Sequence, residues 1–327
     1  MLAVVEITGW HWAAFVTCIL VFLALDLGVF HRRAHTVRFK EALAWTSVWF
    51  SMAMLFAVGL KFMRGNKEAL EFFTGYIIEF SLSMDNVFVI ALIFAYFRIP
   101  SQYQHRVLFW GILGALVMRG IMIGVGAALV ERFAWLLYVL GAFLLLTGIR
   151  MLFVSDEEVH PERNVVIRLA RRFCPVSPDF DGQKFTTHWN GKWALTPMAL
   201  VLLMVETTDL LFAVDSIPAI FGVTTDRFII FTSNVFAILG LRSLYFVLAG
   251  AIDYFRYLKI GLSFVLAFIG AKMLLDPHGE PSWWFQRKIP TGVSLLVVAV
   301  ILLLSIIFSI IAARREHRAR EQSADKP

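Results

Sequence analysis

Apolar stretches of 18 residues or more recur along the whole chain, and no other feature restricts its fold as strongly. In hydrocarbon every backbone N–H and C=O needs a partner inside the protein, so such stretches cross a bilayer as α-helices. With 59% hydrophobic and only 17% charged residues in 327, a soluble globular domain is excluded. An all-α polytopic membrane protein is expected, with about nine spans at 10–30, 44–63, 72–97, 107–130, 134–154, 196–222, 228–250, 257–275 and 290–312. The 31 Phe and ten Trp suit lipid-facing surfaces and interfacial belts. The net charge of +6 is no sign of nucleic-acid binding, because the basic residues sit between the spans. Cys18 and Cys174 give neither a disulfide framework nor a metal-ligand spacing. The first apolar run has no basic segment before it and is full length, so no cleavable signal is expected.

The distribution of Lys and Arg sets the expected orientation. With the N-terminus outside, twenty basic residues fall in cytoplasmic segments and seven in outside ones. An N-out, C-in orientation follows. Segment 155–193 is too short for its own core. In it, Asn190-Gly191 suits a type I′ turn between alternating residues, so a small β-hairpin is expected. The basic tail from 313 is expected to be disordered and to meet anionic lipid.

Spans three to five can be laid over spans six to eight. Glu79-x5-Asp85-Asn86 falls on Asp209-x5-Asp215-Ser216, Arg119 on Arg242, and Gly148-Ile-Arg150 on Gly270-Ala-Lys272. Three spans per unit is an odd number, so the second unit runs through the membrane in the opposite sense. Two inverted three-helix repeats are expected, with a binding site near the midplane. The chain then divides into a two-helix segment (1–71), a first repeat (72–154), a cytoplasmic loop (155–195), a second repeat (196–275), a C-terminal helix (276–312) and a basic tail (313–327).

The acidic frames carry the chemistry. Asp85 lies ~20 Å into its span, too deep to snorkel out of a core ~30 Å thick. An ionisable group at that depth costs roughly 2.5–3.5 kcal/mol on insertion scales. Glu79, Asp85, Glu206, Asp209 and Asp215 sum to −5 if ionised, and Arg119 and Arg242 return +2, so a cation is expected. The candidate ligands are those carboxylates with Asn86, Ser216, Ser233 and Asn234, all oxygen donors. Hard oxygen ligands favour Mn²⁺, Ca²⁺ or Mg²⁺. On a straight helix, residues six apart point about 120° away from each other. A broken turn, easier beside Pro218, would bring both acids of a frame to one cavity. Arg119 and Arg242 read equally as structural neutralisers or as switching counter-charges for an empty site. Glu206 reads as a ligand or as a packing hydrogen bonder, Asp26 as a structural pair or cap, and Gly120-x3-Gly124 as helix packing.

Glu79-Phe-Ser-Leu-Ser-Met-Asp-Asn86, Val205-Glu-Thr-Thr-Asp-Leu-Leu-Phe-Ala-Val-Asp-Ser-Ile-Pro-Ala219 and Thr232-Ser-Asn-Val-Phe-Ala-Ile-Leu-Gly-Leu-Arg242 resemble the TerC family of integral membrane proteins, closest to its Alx-like branch. The resemblance covers about residues 10–310. It implies a relative of the LysE-type transporters, in a family linked to manganese efflux and metal homeostasis and named for tellurite-resistance operons. By it, Glu79, Asp85, Asn86, Glu206, Asp209, Asp215 and Ser216 match the motif's acidic and polar positions. Tellurite itself is not the expected cargo, because an oxyanion wants helix N-termini or exposed cations and this site is acidic.

The expected function is export of Mn²⁺, or a similar hard divalent cation, by alternating access, with proton coupling chemically open because metal entry displaces protons. Asp85 and Asp215 are the first choices as ligands, with Glu79 and Asp209 beside them. An accessory protein that delivers metal, or a redox or stress component, stays open. No soluble catalytic domain exists, so an enzyme is not expected. The expected partners are the lipid bilayer and a divalent metal ion, with no nucleic acid.

Overall fold

The computed structural model describes residues 7–25, 39–153, 164–189, 191–249, 258–276 and 289–324. The chain is all-α apart from one hairpin. In order it contains α1 (Gly9–Leu25), α2 (Phe39–Met63), α3 (Asn66–Tyr96), α4 (Ser101–Arg132), α5 (Leu136–Phe153), α6 (Val165–Phe173), β1 (Thr186–Trp189), β2 (Lys192–Leu195), α7 (Pro197–Phe221), α8 (Arg227–Ala249), α9 (Leu258–Leu275) and α10 (Thr291–Ala324). Eight of these helices are long and apolar enough to cross a membrane, and α1 is a shorter apolar helix. The chain is therefore a polytopic helical membrane protein.

Local chemistry explains where the helices begin. Pro197 opens α7 at its first turn, where a missing N–H costs nothing. Asp226 caps α8, its carboxylate accepting from the Phe228 and Ile229 amides at 2.9 and 3.2 Å. Observed helices overrun the expected spans at polar ends. α3 starts at Asn66 and α4 at Ser101, because polar first turns, charged in α3 and uncharged in α4, lower hydropathy while Lys, Glu and Gln still favour helix.

α8 is almost wholly enclosed, while α2, α5 and α10 turn most of their surface outward. α3 packs on α8 as α4 packs on α7, and the pairs α3–α7, α4–α8 and α5–α9 are also in contact. Gly75 lets α3 close on α8, where an added Cβ would lie 3.0 Å from the Ser233 hydroxyl. Rings of Phe15, Phe56, Phe72 and Phe236 pack at centroid distances of 5.0–5.9 Å and tie α1 and α2 to this centre.

The α5–α9 contact is the tightest. A Cβ on Gly148 would lie 2.6 Å from the Ala267 nitrogen and 2.7 Å from the Ser263 carbonyl oxygen. One on Gly270 would lie 2.5 Å from the Leu145 nitrogen and 2.6 Å from the Gly141 carbonyl oxygen. These contacts exchange under one shift of numbering (148 to 270, 145 to 267, 141 to 263). As α5 numbers fall those of α9 rise, so the two helices are antiparallel.

Several expectations are corrected. No broken turn separates the acids of either frame, since α3 and α7 are each continuous and Pro218 sits inside α7. Pro218 lies within the last turn, so its missing donor costs one bond near an end that frays anyway. The tail is not wholly disordered: α10 runs on to Ala324, through a stretch without Gly or Pro and rich in Ala, Arg and Glu. Of Gly120 and Gly124, only Gly120 meets a neighbour, the Phe231 ring. Lys272, the repeat partner of Arg150, is buried and donates to the Gly222 carbonyl at 3.0 Å, a cation at the C-terminus of α7. The expected hairpin is present, with Trp189 opposite Lys192 and Gly191 at φ 73°. Asn190 and Asp26 lie outside the described residues.

Replacing Gly148 or Gly270 with Ala should lower the thermal midpoint in detergent by the equivalent of about 1–3 kcal/mol, because the new methyl meets backbone that cannot rotate away. Gly124→Ala, with open space around it inside α4, should not lower the midpoint, because Ala favours helix over Gly.

Candidate functional site

Glu79 is midway along α3 and fully buried, Arg119 on α4 is 1% exposed, and Asp209 on α7 is 12% exposed. The Arg119 guanidinium joins them. Its Nη2 donates to Asp209 Oδ1 at 2.9 Å and its Nε to Oδ2 at 3.2 Å, a two-pronged bond matching the carboxylate plane. Its Nη1 donates to Glu79 Oε1 and, at 3.3 Å, to the Ser216 hydroxyl. One cation thus bridges the first acid of each repeated frame.

The spacing explains which frame residues meet it. On a continuous helix, residues seven apart differ by only about 20°, whereas residues six apart differ by about 120°. Asp209 and Ser216 therefore share a face and both reach Arg119. Glu79 and Asn86 share the corresponding face of α3, and both are buried. Asp85 and Asp215 point elsewhere and are half-buried. Among the described residues, no three acidic, His or Cys groups converge closely enough to hold a metal ion. In this arrangement the cation between the two frames is Arg119.

The centre is not saturated. Among the described residues, Glu79 Oε2, the Ser83 hydroxyl and Asn234 Nδ2 are buried without a hydrogen-bond partner. Such groups are rare in native interiors and call for a water, a proton or an ion. The carboxylate oxygen and the hydroxyl suit a hard cation or its hydration shell, whereas the Asn234 NH₂ donates and calls for a water or another acceptor. Glu206 packs against α4, where its carboxylate fills a notch that only glycine leaves at Gly114. Arg242 is buried on α8 and, like Asp85, is partnered.

A second polar cluster escaped the sequence reading. Arg64 donates to Asp226 at 2.6 Å and Thr224 to Glu71 at 2.7 Å, while Arg227 pairs with Glu131. These bonds tie together the adjoining ends of α2, α3, α4 and α8. Glu71 lies eight residues before Glu79, about 80° away on the same helix, and that spacing was a signal available in the sequence.

The comparisons with known proteins agree with this architecture. The model of the integral membrane protein TerC family matches residues 64–317. The chain belongs to the TerC family. It is 52% identical over 316 residues to an uncharacterized membrane protein, STKORF319, of Myxococcus xanthus, covering 97% of this chain and 96% of the relative. It is 43% identical over 307 residues to a protein of Escherichia coli K12 named "Putative membrane-bound redox modulator Alx", covering 91% of this chain and 93% of the relative. A membrane protein of Rickettsia felis is 41% identical over 300 residues, covering 92% and 97%. No solved structure matches this TerC chain.

Arg119→Met leaves two carboxylates without their counter-charge, one of them fully buried, and should cost about 3–5 kcal/mol in thermal unfolding. Adding Glu79→Gln should recover part of that loss. If the double variant is no more stable than the single one, the loss comes from packing and not from stranded charge.

Proposed function

We propose that this TerC protein is a secondary transporter that exports a hard divalent cation, Mn²⁺ first, with Ca²⁺ and Mg²⁺ as competitors. The observation that carries the reading is the bridge from Glu79 through Arg119 to Asp209. It brings the acidic frames of α3 and α7 to one buried centre, where a mobile cation and a tethered guanidinium compete for the same oxygens. Glu79, Asp209 and Ser216 lie at that centre, and the buried Asn86 and Asn234 are its neutral donors. Asp85, Asp215 and Glu206 supply the remaining carboxylates along the route. Arg242 is the counter-charge of the second repeat.

The inverted-repeat arrangement belongs to the same proposal. It is supported by the reciprocal α5–α9 glycine contacts, which exchange about an axis perpendicular to two antiparallel helices. For spanning helices such an axis lies in the membrane plane. It is further supported by the matched α3–α8 and α4–α7 contacts. Alternating access would then rock one three-helix unit against the other around the acidic centre. The charge distribution supports an inner-membrane protein with its N-terminus outside and its C-terminus in the cytoplasm. Excess negative charge at the centre also makes proton exchange a chemically balanced partner of metal movement.

Flux in proteoliposomes tests the reading, with Mn²⁺, Ca²⁺, Mg²⁺, Zn²⁺ and tellurite offered to wild type, Asp85→Asn and Asp215→Asn. Saturable Mn²⁺ flux is expected in the wild type and at least ~10-fold less in each variant, the loss of roughly one strong charge contact. Equal Mn²⁺ flux in all three would remove Asp85 and Asp215 from the route. A folded wild type that binds Mn²⁺ but moves none would be a metal-delivering accessory protein instead.

A further inference from the structure

Helix α6 belongs to none of the spans, yet it exposes large apolar side chains: Val165 is 70% exposed, Leu169 52% and Phe173 74%. At 100° per residue these three fall within about 80° of one another. Ile167 points roughly the opposite way and is buried in a cluster with Leu108 and Met198, at the beginnings of α4 and α7. Arg168, Arg171 and Arg172 occupy the remaining sector, and all three are exposed. The helix therefore has three faces: one against the protein, one apolar and exposed, and one basic and exposed, on which Arg168 is partnered.

Its depth is fixed by a cap. Asn164 accepts from the Val166 and Ile167 amides at 2.9 and 3.2 Å and starts the helix. The amide of the same side chain reaches Met204 Sδ at 3.3 Å. Met204 is seven residues into α7, ~10 Å along its axis. A helix of 25 residues is ~37 Å long and overhangs a ~30 Å hydrocarbon core by only a few ångströms at each end. The start of α6 is thereby held at the edge of the hydrocarbon rather than out in water.

We propose that α6 is an interfacial helix that binds the anionic bilayer surface. Val165, Leu169 and Phe173 enter the boundary between headgroups and acyl chains, and the arginine sector takes lipid phosphates. A surface helix with this division of faces lies in the plane of the membrane, its apolar side sunk about 5–10 Å. Each basic residue near an anionic surface adds attraction, so the binding depends on lipid charge. The proposal is independent of what the protein transports.

The test uses the full chain with Cys18→Ser and Cys174→Ser and a single polarity-sensitive fluorophore on Leu169→Cys, in nanodiscs of phosphatidylcholine with or without phosphatidylglycerol. Expected are blue-shifted emission, quenching by lipids brominated on their acyl chains, and an increase in both with phosphatidylglycerol. The Arg168→Gln, Arg171→Gln, Arg172→Gln variant should lose the phosphatidylglycerol response. A label on Val165→Cys should repeat the result, and one on the exposed Gly182→Cys should report water. Water-like, unquenched emission at both Leu169 and Val165 would overturn the proposal. So would a shielded label that brominated lipid does not quench, which would mean a protein covers the face. Quenching that ignores phosphatidylglycerol would overturn the anionic specificity.

Discussion

A buried guanidinium shared by two carboxylates from different helices holds the centre of this protein together. Arg119 on α4 meets Glu79 on α3 and Asp209 on α7, at a depth where none of the three charges has ready access to bulk water. Removing any one strands another, and in a low-dielectric interior that penalty is severe. The bridge therefore fixes the mutual position of three helices. It also defines the chemistry available there. Two carboxylates around one arginine leave net negative charge, and the second oxygen of Glu79 has no donor among the described residues. Under the proposed function, a divalent cation would meet the free Glu79 oxygen and compete with Arg119 for the others.

The periphery makes this exchange mechanically credible. α5 and α9 meet through glycines whose contacts repeat when the helices are exchanged, so their interface is close and self-matching. The buried ends of α7 and α8 are finished by polar bonds: Lys272 on the Gly222 carbonyl, Asp226 across the first turn of α8, and Thr224 on Glu71. Most polar groups named at the rim are paired, although Arg64 Nε there has no acceptor among the described residues, and at the Arg119 bridge Glu79 Oε2 has no donor. A buried carboxylate oxygen without a donor, beside a shared guanidinium, is where a proton, a water or an ion would complete the structure.

Much of this was legible in the sequence, and the limits are physical. Span positions follow from hydropathy, so all eight long spans appear near their expected places, with errors where polar first turns extend a helix and where α10 runs on into the basic tail. The hairpin followed from Asn190-Gly191. The repeated frames put Asp85 and Asp215 first, with Glu79, Asp209, Asn86 and Ser216 beside them and Arg119 and Arg242 as counter-charges, and the bridge draws Glu79, Asp209, Ser216 and Arg119 from that larger set. What the frames could not say was which acid faces inward. Expecting both to converge required a broken helix, whereas continuous α3 and α7 select positions seven apart and turn Asp85 and Asp215 aside. α6 was missed because hydropathy averages away a nine-residue helix whose arginines offset its apolar face. The Glu71–Thr224 and Arg64–Asp226 bonds were missed because they join ends of helices far apart in sequence.

The central claim is that Arg119 and the transported ion compete for the same carboxylates. It is tested most directly by the effect of Mn²⁺ on the thermal stability of Arg119→Met beside wild type. With the guanidinium gone, Mn²⁺ should bind Glu79 and Asp209 without a competitor. Because a ligand stabilises the state it binds in proportion to its saturation, the midpoint should rise more in Arg119→Met than in wild type, reversing part of the mutational loss. The rise should vanish when Glu79→Gln and Asp209→Asn are added. A Mn²⁺ shift no larger in Arg119→Met than in wild type, or one that survives loss of both carboxylates, would contradict the account.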